Sequence, residues 1–223
     1  MENLPIGAEI DGDQLWSQIL NRPQTLHGGA GRRPALFLDR DGVIVEEAHY
    51  LSKPEDVVLL DGAAKVIAKA NRLAVPVIVV TNQSGIGRGY FGWEEFIQVQ
   101  ERIIEDLDKQ GAFINAVFAC PHHKDGNPPY DSPNHAWRKP NPGMLLEAAL
   151  RMPIDLKQSW LIGDHAGDIQ AALNAGLPGA IHVLTGHGEE ERSGAMAVEG
   201  DGFESLIADS IAGVEGVLAL LRD

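Results

Sequence analysis

From residue 35 onward, short apolar runs alternate with longer segments whose apolar residues recur every three or four positions. ALFLD at Ala35 to Asp39, VPVIVVTN at Val75 to Asn82, AVFAC at Ala116 to Cys120, SWLIGD at Ser159 to Asp164 and AIHVLT at Ala180 to Thr185 predict strands. Between them, GAAKVIAKANRLA at Gly62 to Ala74, WEEFIQVQERIIEDLDKQG at Trp93 to Gly111, MLLEAALRM at Met144 to Met152 and AGDIQAALNA at Ala166 to Ala175 predict helices, and a last helix falls within Asp209 to Leu221. The strands are apolar throughout instead of on alternate positions, so both faces of their sheet should be covered by helices. The pattern predicts an α/β fold with a doubly wound, Rossmann-like parallel sheet.

Two stretches break this rhythm. DGDQLWSQILN at Asp11 to Asn21 places Leu15, Trp16, Ile19 and Leu20 at helical spacing before Pro23, which predicts a short helix, and GGAGRR at Gly28 to Arg33 reads as a linker. Residues 1–32 are therefore expected to be an amino-terminal arm and linker, packed on a main domain at 33–223. The second stretch is the Pro- and His-rich loop from Pro121 to Pro142, longer than ordinary connections and for that reason expected to be functional or inserted.

Composition narrows the partners. With 44% hydrophobic and 22% charged residues among 223, the chain has the make-up of a globular protein with one substantial core. A formal charge of -14 without any Lys/Arg cluster argues against nucleic acid and against an anionic membrane, so an anionic ligand would have to be held by local positive charge. The single cysteine, Cys120, excludes an internal disulfide framework and fits a reducing compartment. Neither a leader pattern nor an 18-residue apolar run is found, so a soluble cytoplasmic protein, monomeric in the simplest case, is expected.

The chemistry begins at RPALFLDRDGVIV, Arg33 to Val45, where an apolar run ends in two carboxylates one residue apart, Asp39 and Asp41. Such a pair beside a core costs several kcal/mol, ~2–7, unless compensated. Three predicted strands finish in polar groups: Asp39 with Asp41, Thr81 with Asn82, and Asp164 within GDHAGD. In an open parallel sheet the carboxyl ends of strands line one crevice, so these groups should converge. Converging carboxylates repel unless a cation lies among them, and oxygen ligands of this kind suit Mg²⁺. One carboxylate could instead act as a nucleophile toward phosphorus while its neighbour passes a proton to the leaving oxygen. TNQSGIGRG at Thr81 to Gly89 adds hydroxyl, amide and glycine positions suited to phosphate oxygens, and Arg138 and Lys139 lie in the loop before Pro140.

DRDGV at Asp39 to Val43, TNQSG at Thr81 to Gly85, RKPNPGM at Arg138 to Met144 and GDHAGD at Gly163 to Asp168 together resemble the four motifs of the haloacid dehalogenase (HAD) superfamily. The wording is closest to the branch holding heptose bisphosphate and histidinol phosphate phosphatases. The match runs from about Ala35 to Gly188. The resemblance implies a HAD-like fold with a small or absent cap and Mg²⁺-dependent hydrolysis of a small phosphorylated sugar through an aspartyl-phosphate. Heptose 1,7-bisphosphate is the first expectation, histidinol phosphate or another small phosphomonoester the alternative, and a phosphosugar-binding protein without turnover the third. By the same resemblance Asp39 is the nucleophile and Asp41 the general acid and base. Mg²⁺ is held by Asp39, the Asp41 carbonyl and Asp164, with Asp168 orienting the metal shell or Lys139. Thr81, Asn82, Gln83 and Ser84 meet the phosphoryl group, Lys139 neutralises charge, and Arg138, Glu47, His49, Tyr50 and Arg88 meet the rest of the substrate.

One motif departs from the branch, whose members carry a zinc loop of Cys-x-His followed by Cys-x-Cys before the Arg-Lys pair. Here Cys120 and His122 form the first half, whereas His135 and Trp137 stand in the second. Zinc on Cys120, His122 and His135 is one expectation; a loop held by Pro and packing is the other. His182 and His187, near a strand end, are expected to be packed or solvated.

Overall fold

The computed structural model describes residues 4–20, 31–219 and 221. Among these residues eight strands form one sheet in the order β1-β2-β5-β4-β3-β6-β7-β8. Six of them are parallel: β3 (Leu36–Leu38), β4 (Val77–Asn82), β5 (Ala116–Cys120), β6 (Trp160–Gly163), β7 (Gly179–Val183) and β8 (Glu204–Ala208). The chain leaves β3 toward β4 and β5 on one side and later returns to place β6 on the other. The carboxyl end of β3 is thus the point where the winding reverses, the place where such sheets open a crevice.

Alternation along each strand divides the core into two layers. Leu36, Leu38, Val77 and Val79 face α1 (Ala63–Arg72) and α3 (Trp93–Asp108), while Phe37, Ile78, Val80 and Phe118 face α4 (Gly143–Arg151) and α5 (Ala166–Asn174). In α1 the buried residues Ala63, Val66, Ile67 and Ala70 keep the spacing of one helical face, which is why this segment is helical and where it docks. A short helix, α2 (Ser84–Gly87), follows β4 directly. The expected doubly wound sheet is therefore present. Between β3 and α1, residues 39–62 hold a 3-10 turn at Pro54–Asp56 and two isolated bridges, Asp41 with Val45 and Val45 with Leu59, so the cap position is a loop.

Two local expectations are corrected. The segment expected to be a helix at Asp11 to Asn21 is a β-hairpin, β1 (Ala8–Ile10) and β2 (Trp16–Ile19), with β2 pairing antiparallel to β5. A run of four apolar residues cannot decide between helix and strand, and the exposed edge of β5 decides it here. Trp16 joins the α1/α3 layer, stacked on Trp93 at 5.9 Å and edge-on to Phe96 at 5.5 Å. Pro23 and the first half of the expected Gly-rich linker, Gly28 to Ala30, lie outside the described residues. The last helix is 3-10 over Ile211–Ala219, where Gly213 and Gly216 weaken α-helix. Two elements were missed: α6 (Gly188–Met196), whose buried residues are only Gly188 and Ala195, and the edge strand β8.

Candidate active site

The crevice at the carboxyl ends of β3, β4 and β6 is a pocket of about 540 Å³. Asp39 follows β3, Asp164 follows β6, and Asp168 sits in the first turn of α5. Ligand atoms of these three carboxylates lie within 4.8 Å of one another, the one such His/Cys/Asp/Glu group among the described residues. Lys139 reaches in from the long loop, its Nζ 2.8 Å from Asp39 Oδ1 and 2.5 Å from Asp168 Oδ1, and donates to the Val80 carbonyl at 2.9 Å. Its backbone is clamped by Asn82, whose amide donates to the Lys139 carbonyl and accepts from the Lys139 N–H, both at 3.1 Å.

Three carboxylates against one ammonium leave this cluster with a formal charge of -2, and every member is largely buried. The consequence is visible in their acidity. Burial, together with the neighbouring carboxylates Asp168 and Asp41, outweighs Lys139 and raises Asp39 to about 7. Burial, then Asp39 and Asp168, raises Asp164 to about 8. Burial opposes the charge on Lys139, but Asp168 and Asp39 overcome it and hold the ammonium well above its ordinary range. A divalent cation matches the deficit in both sign and size.

The backbone leaves room for it. A Cβ on Gly42, which has a φ of 76°, would lie 2.2 Å from Asp164 Oδ2, and one on Gly186 would lie as close. Only glycines allow the carboxylate to sit between these two turns. The His187 N–H then donates to Asp164 Oδ2 at 2.8 Å. The oxygen donor set and its unmet charge fit Mg²⁺.

Asp41 is held differently. The intervening Arg40 extends the Leu36–Leu38 face into the α3 layer, where its guanidinium lies 5.5 Å from the centroid of the Phe96 ring. From there it donates to both Asp41 carboxylate oxygens at 2.9 to 3.2 Å, and Gln83 donates to Asp41 Oδ2 at 3.0 Å and to Thr81 Oγ1 at 2.9 Å. Arg40 is 1% exposed and answers the question posed by the two carboxylates: one aspartate meets the cation cluster, the other its own arginine. The sequence shows a positive charge between the two aspartates but assigns Arg40 no role; its place in an otherwise apolar run was the available signal.

Of the residues expected to meet substrate, Glu47, His49, Tyr50, Asn82, Ser84 and Arg138 line the pocket with Thr81. Gln83 also borders it, but its side chain is engaged with Asp41, Thr81 and Arg40. Arg88 is not among the lining residues; it bonds the Tyr50 hydroxyl, His123 and Asp125 instead. Phe91, His165 and His187 line the pocket and were not anticipated. His187 enters because its backbone N–H, invisible to side-chain pattern reading, reaches Asp164.

Cys120, His122 and His135 are brought near one another but not onto a common point. Cys120 Sγ is 4.0 Å from His135 Nδ1, which already accepts the Trp137 N–H at 3.1 Å. The His122 ring lies flat on His135, with centroids 4.1 Å apart and planes at 6°, so their in-plane lone pairs run parallel instead of converging. His122 Nε2 donates to the Asp13 carbonyl at 3.1 Å. Burial pushes the Cys120 thiol up to about 12, which keeps it neutral. As arranged, these groups do not fit a tetrahedral metal.

A doubly wound sheet whose switch point gathers buried carboxylates, a lysine and a hydroxyl is the arrangement that the resemblance to HAD phosphatases implies. A HAD-hydrolase-like family model matches residues 136–211. A Mesorhizobium japonicum protein named D-glycero-beta-D-manno-heptose-1,7-bisphosphate 7-phosphatase is 51% identical over 144 residues, 65% of this chain and 66% of that protein. A Rhodopseudomonas palustris protein of the same name is 41% identical over 67% of this chain and 83% of its own length. Among solved structures, a Mesorhizobium loti protein described as a HAD-like phosphatase superposes with a TM-score of 0.81 at 38% identity, covering 94% of this chain and 95% of that one. The D,D-heptose 1,7-bisphosphate phosphatase of B. bronchiseptica, complexed with magnesium and phosphate, gives 0.72 at 29% identity over 85% and 99%. The chain belongs to the HAD-like phosphatase family, within the group that contains these heptose bisphosphate 7-phosphatases. It is a phosphoric monoester hydrolase by that membership.

Proposed function

We propose that this chain hydrolyses D-glycero-D-manno-heptose 1,7-bisphosphate at the 7-phosphate, with Mg²⁺ as cofactor and an aspartyl-phosphate on Asp39. The observation that carries the reading is the buried trio Asp39, Asp164 and Asp168 closed around Lys139, with charge left for a divalent ion. When bound, Mg²⁺ neutralises phosphoryl oxygens; Asp39, Asp164 and the Asp41 carbonyl are the groups that would hold it.

Asp39, fixed by its backbone N–H to Ile162 O at 2.9 Å, presents one carboxylate oxygen to phosphorus. Lys139 draws the negative charge of nucleophile and phosphoryl group together, and Asp168 holds Lys139 in place. Thr81 accepts from Gln83, so its own hydroxyl hydrogen is free for a phosphoryl oxygen. Asp41, aimed by Arg40 and Gln83, gives a proton to the leaving alkoxide and then takes one from the water that cleaves the aspartyl-phosphate. Arg138, Glu47, His49 and Tyr50 line the way to the sugar. Arg88 and Gln83 fall to supporting roles, the first ordering Tyr50 and the second Asp41.

A substrate panel tests this reading. With Mg²⁺, phosphate release from both anomers of heptose 1,7-bisphosphate should exceed that from histidinol phosphate and hexose phosphates by about 10²-fold or more in kcat/KM. Equal low rates across the panel would remove the heptose assignment, and a preference for histidinol phosphate would replace it.

A further inference from the structure

The loop that carries Arg138 is joined to the amino-terminal hairpin by a continuous set of contacts. In the turn between β1 and β2, Asp11 Oδ1 accepts the N–H groups of Asp13 and Leu15, each at 2.9 Å, which fixes the direction of the Asp13 carbonyl. That carbonyl receives His122 Nε2 at 3.1 Å. His122 is 5% exposed, lies flat on His135 and meets Tyr130 edge-on at 5.8 Å. Its own carbonyl accepts Arg138 Nη1 at 2.8 Å. Pairing of β2 with β5 delivers the hairpin to this place, since β5 ends at Cys120, two residues before His122.

We infer that the hairpin braces the substrate-binding loop through His122, fixing the Arg138 guanidinium in the pocket without a metal ion. The inference rests on the reading of Arg138 as a substrate contact given above. His122 is then a positioning residue, and its Nε2 proton is the feature that matters: a side chain that keeps a donor at that distance keeps the brace. The physical need is plain. Arg138 has many rotamers, and ordering one such side chain at the moment of binding weakens affinity by about three- to tenfold per chain ordered.

Four measurements test it on the full-length protein. His122→Leu should raise KM for heptose 1,7-bisphosphate about tenfold with kcat within about twofold, and His122→Gln should restore most of the loss. In an Arg138→Ala background the His122→Leu change should add nothing further. Asp11→Ala, remote from the pocket, should raise KM about threefold and keeps the test open if His122→Leu folds poorly. Amide hydrogen exchange over residues 123–137, measured without substrate, should quicken in His122→Leu by about tenfold or more. Unchanged exchange, or multiplicative KM effects of His122→Leu and Arg138→Ala, would overturn the brace. So would about one zinc per chain in protein purified without chelator. Unchanged KM in Arg138→Ala, with fast loop exchange in His122→Leu, would overturn the substrate role of Arg138 and not the brace.

Discussion

Two groups of metal-capable side chains lie toward the carboxyl edge of the sheet, one at β3 and β6 and the other at β5, and they behave oppositely. Asp39, Asp164 and Asp168 crowd within 4.8 Å with one lysine between them, and burial with mutual repulsion lifts the pKa values of the first two far above those of free carboxylates. The ligand atoms of Cys120, His122 and His135 do not close to that distance; the Cys120 thiol carries no charge, His122 Nε2 is engaged by a carbonyl, His135 Nδ1 by a backbone N–H, and the two rings stack on each other. Residue type made both groups candidates. Unmet charge is what separates a site from a packed cluster.

The largest way to break that contrast is at the nucleophile. Asp39→Asn should lower kcat by about 10³-fold or more while the protein stays folded; most of the activity surviving in steady-state assays would remove Asp39 from the chemistry. Lys139→Met should cost about 10² to 10³ in kcat, since it strips the only ammonium from three carboxylates, and raised Mg²⁺ should not restore the rate. Arg40→Met should lower kcat about ten- to a hundredfold by freeing Asp41, with KM little changed, which separates a positioning role from a binding one.

Smaller effects sharpen it. Asp39 and Asp164 have folded values raised from 3.8 to about 7 and about 8. Their contribution to stability is therefore fully present below about 4 and is lost as pH rises through 7 and 8. In EDTA, the melting temperature should fall between pH 5.5 and 8.5, and Mg²⁺ should flatten that fall; a melting temperature that rises with pH in EDTA would contradict the unmet charge. At the other cluster, Cys120→Ser should leave kcat/KM within about twofold, because the thiol carries no charge and no reacting atom.

How much of this was readable in advance follows from where each residue's instructions lie. The parallel strands β3 to β7 and helices α1, α3, α4 and α5 carry their own periodicity, so the switch point and the convergence of Asp39, Thr81 and Asp164 could be inferred from order alone. The hairpin could not. Its Trp16 and Ile19 fit a helix as well as a strand, and only the edge of β5, about a hundred residues on, selects pairing. For α6 and β8 the apolar signal is too thin, and for His187 the functional group is a backbone N–H. Arg88 lies in a loop whose glycines suggested a phosphate cradle, but Tyr50, His123 and Asp125 draw it away from the pocket. Arg40 was in plain view between the two aspartates, and its burial against Phe96 depends on a helix that sequence order does not place.

The claim that buried, unmatched carboxylates make the cation site is tested most directly by soaking crystals of the protein in Mn²⁺ and locating the ion by its anomalous scattering. One peak held by oxygens of Asp39 and Asp164 is the predicted result. A peak between Cys120 and His135, or no peak among the three aspartates, would contradict it.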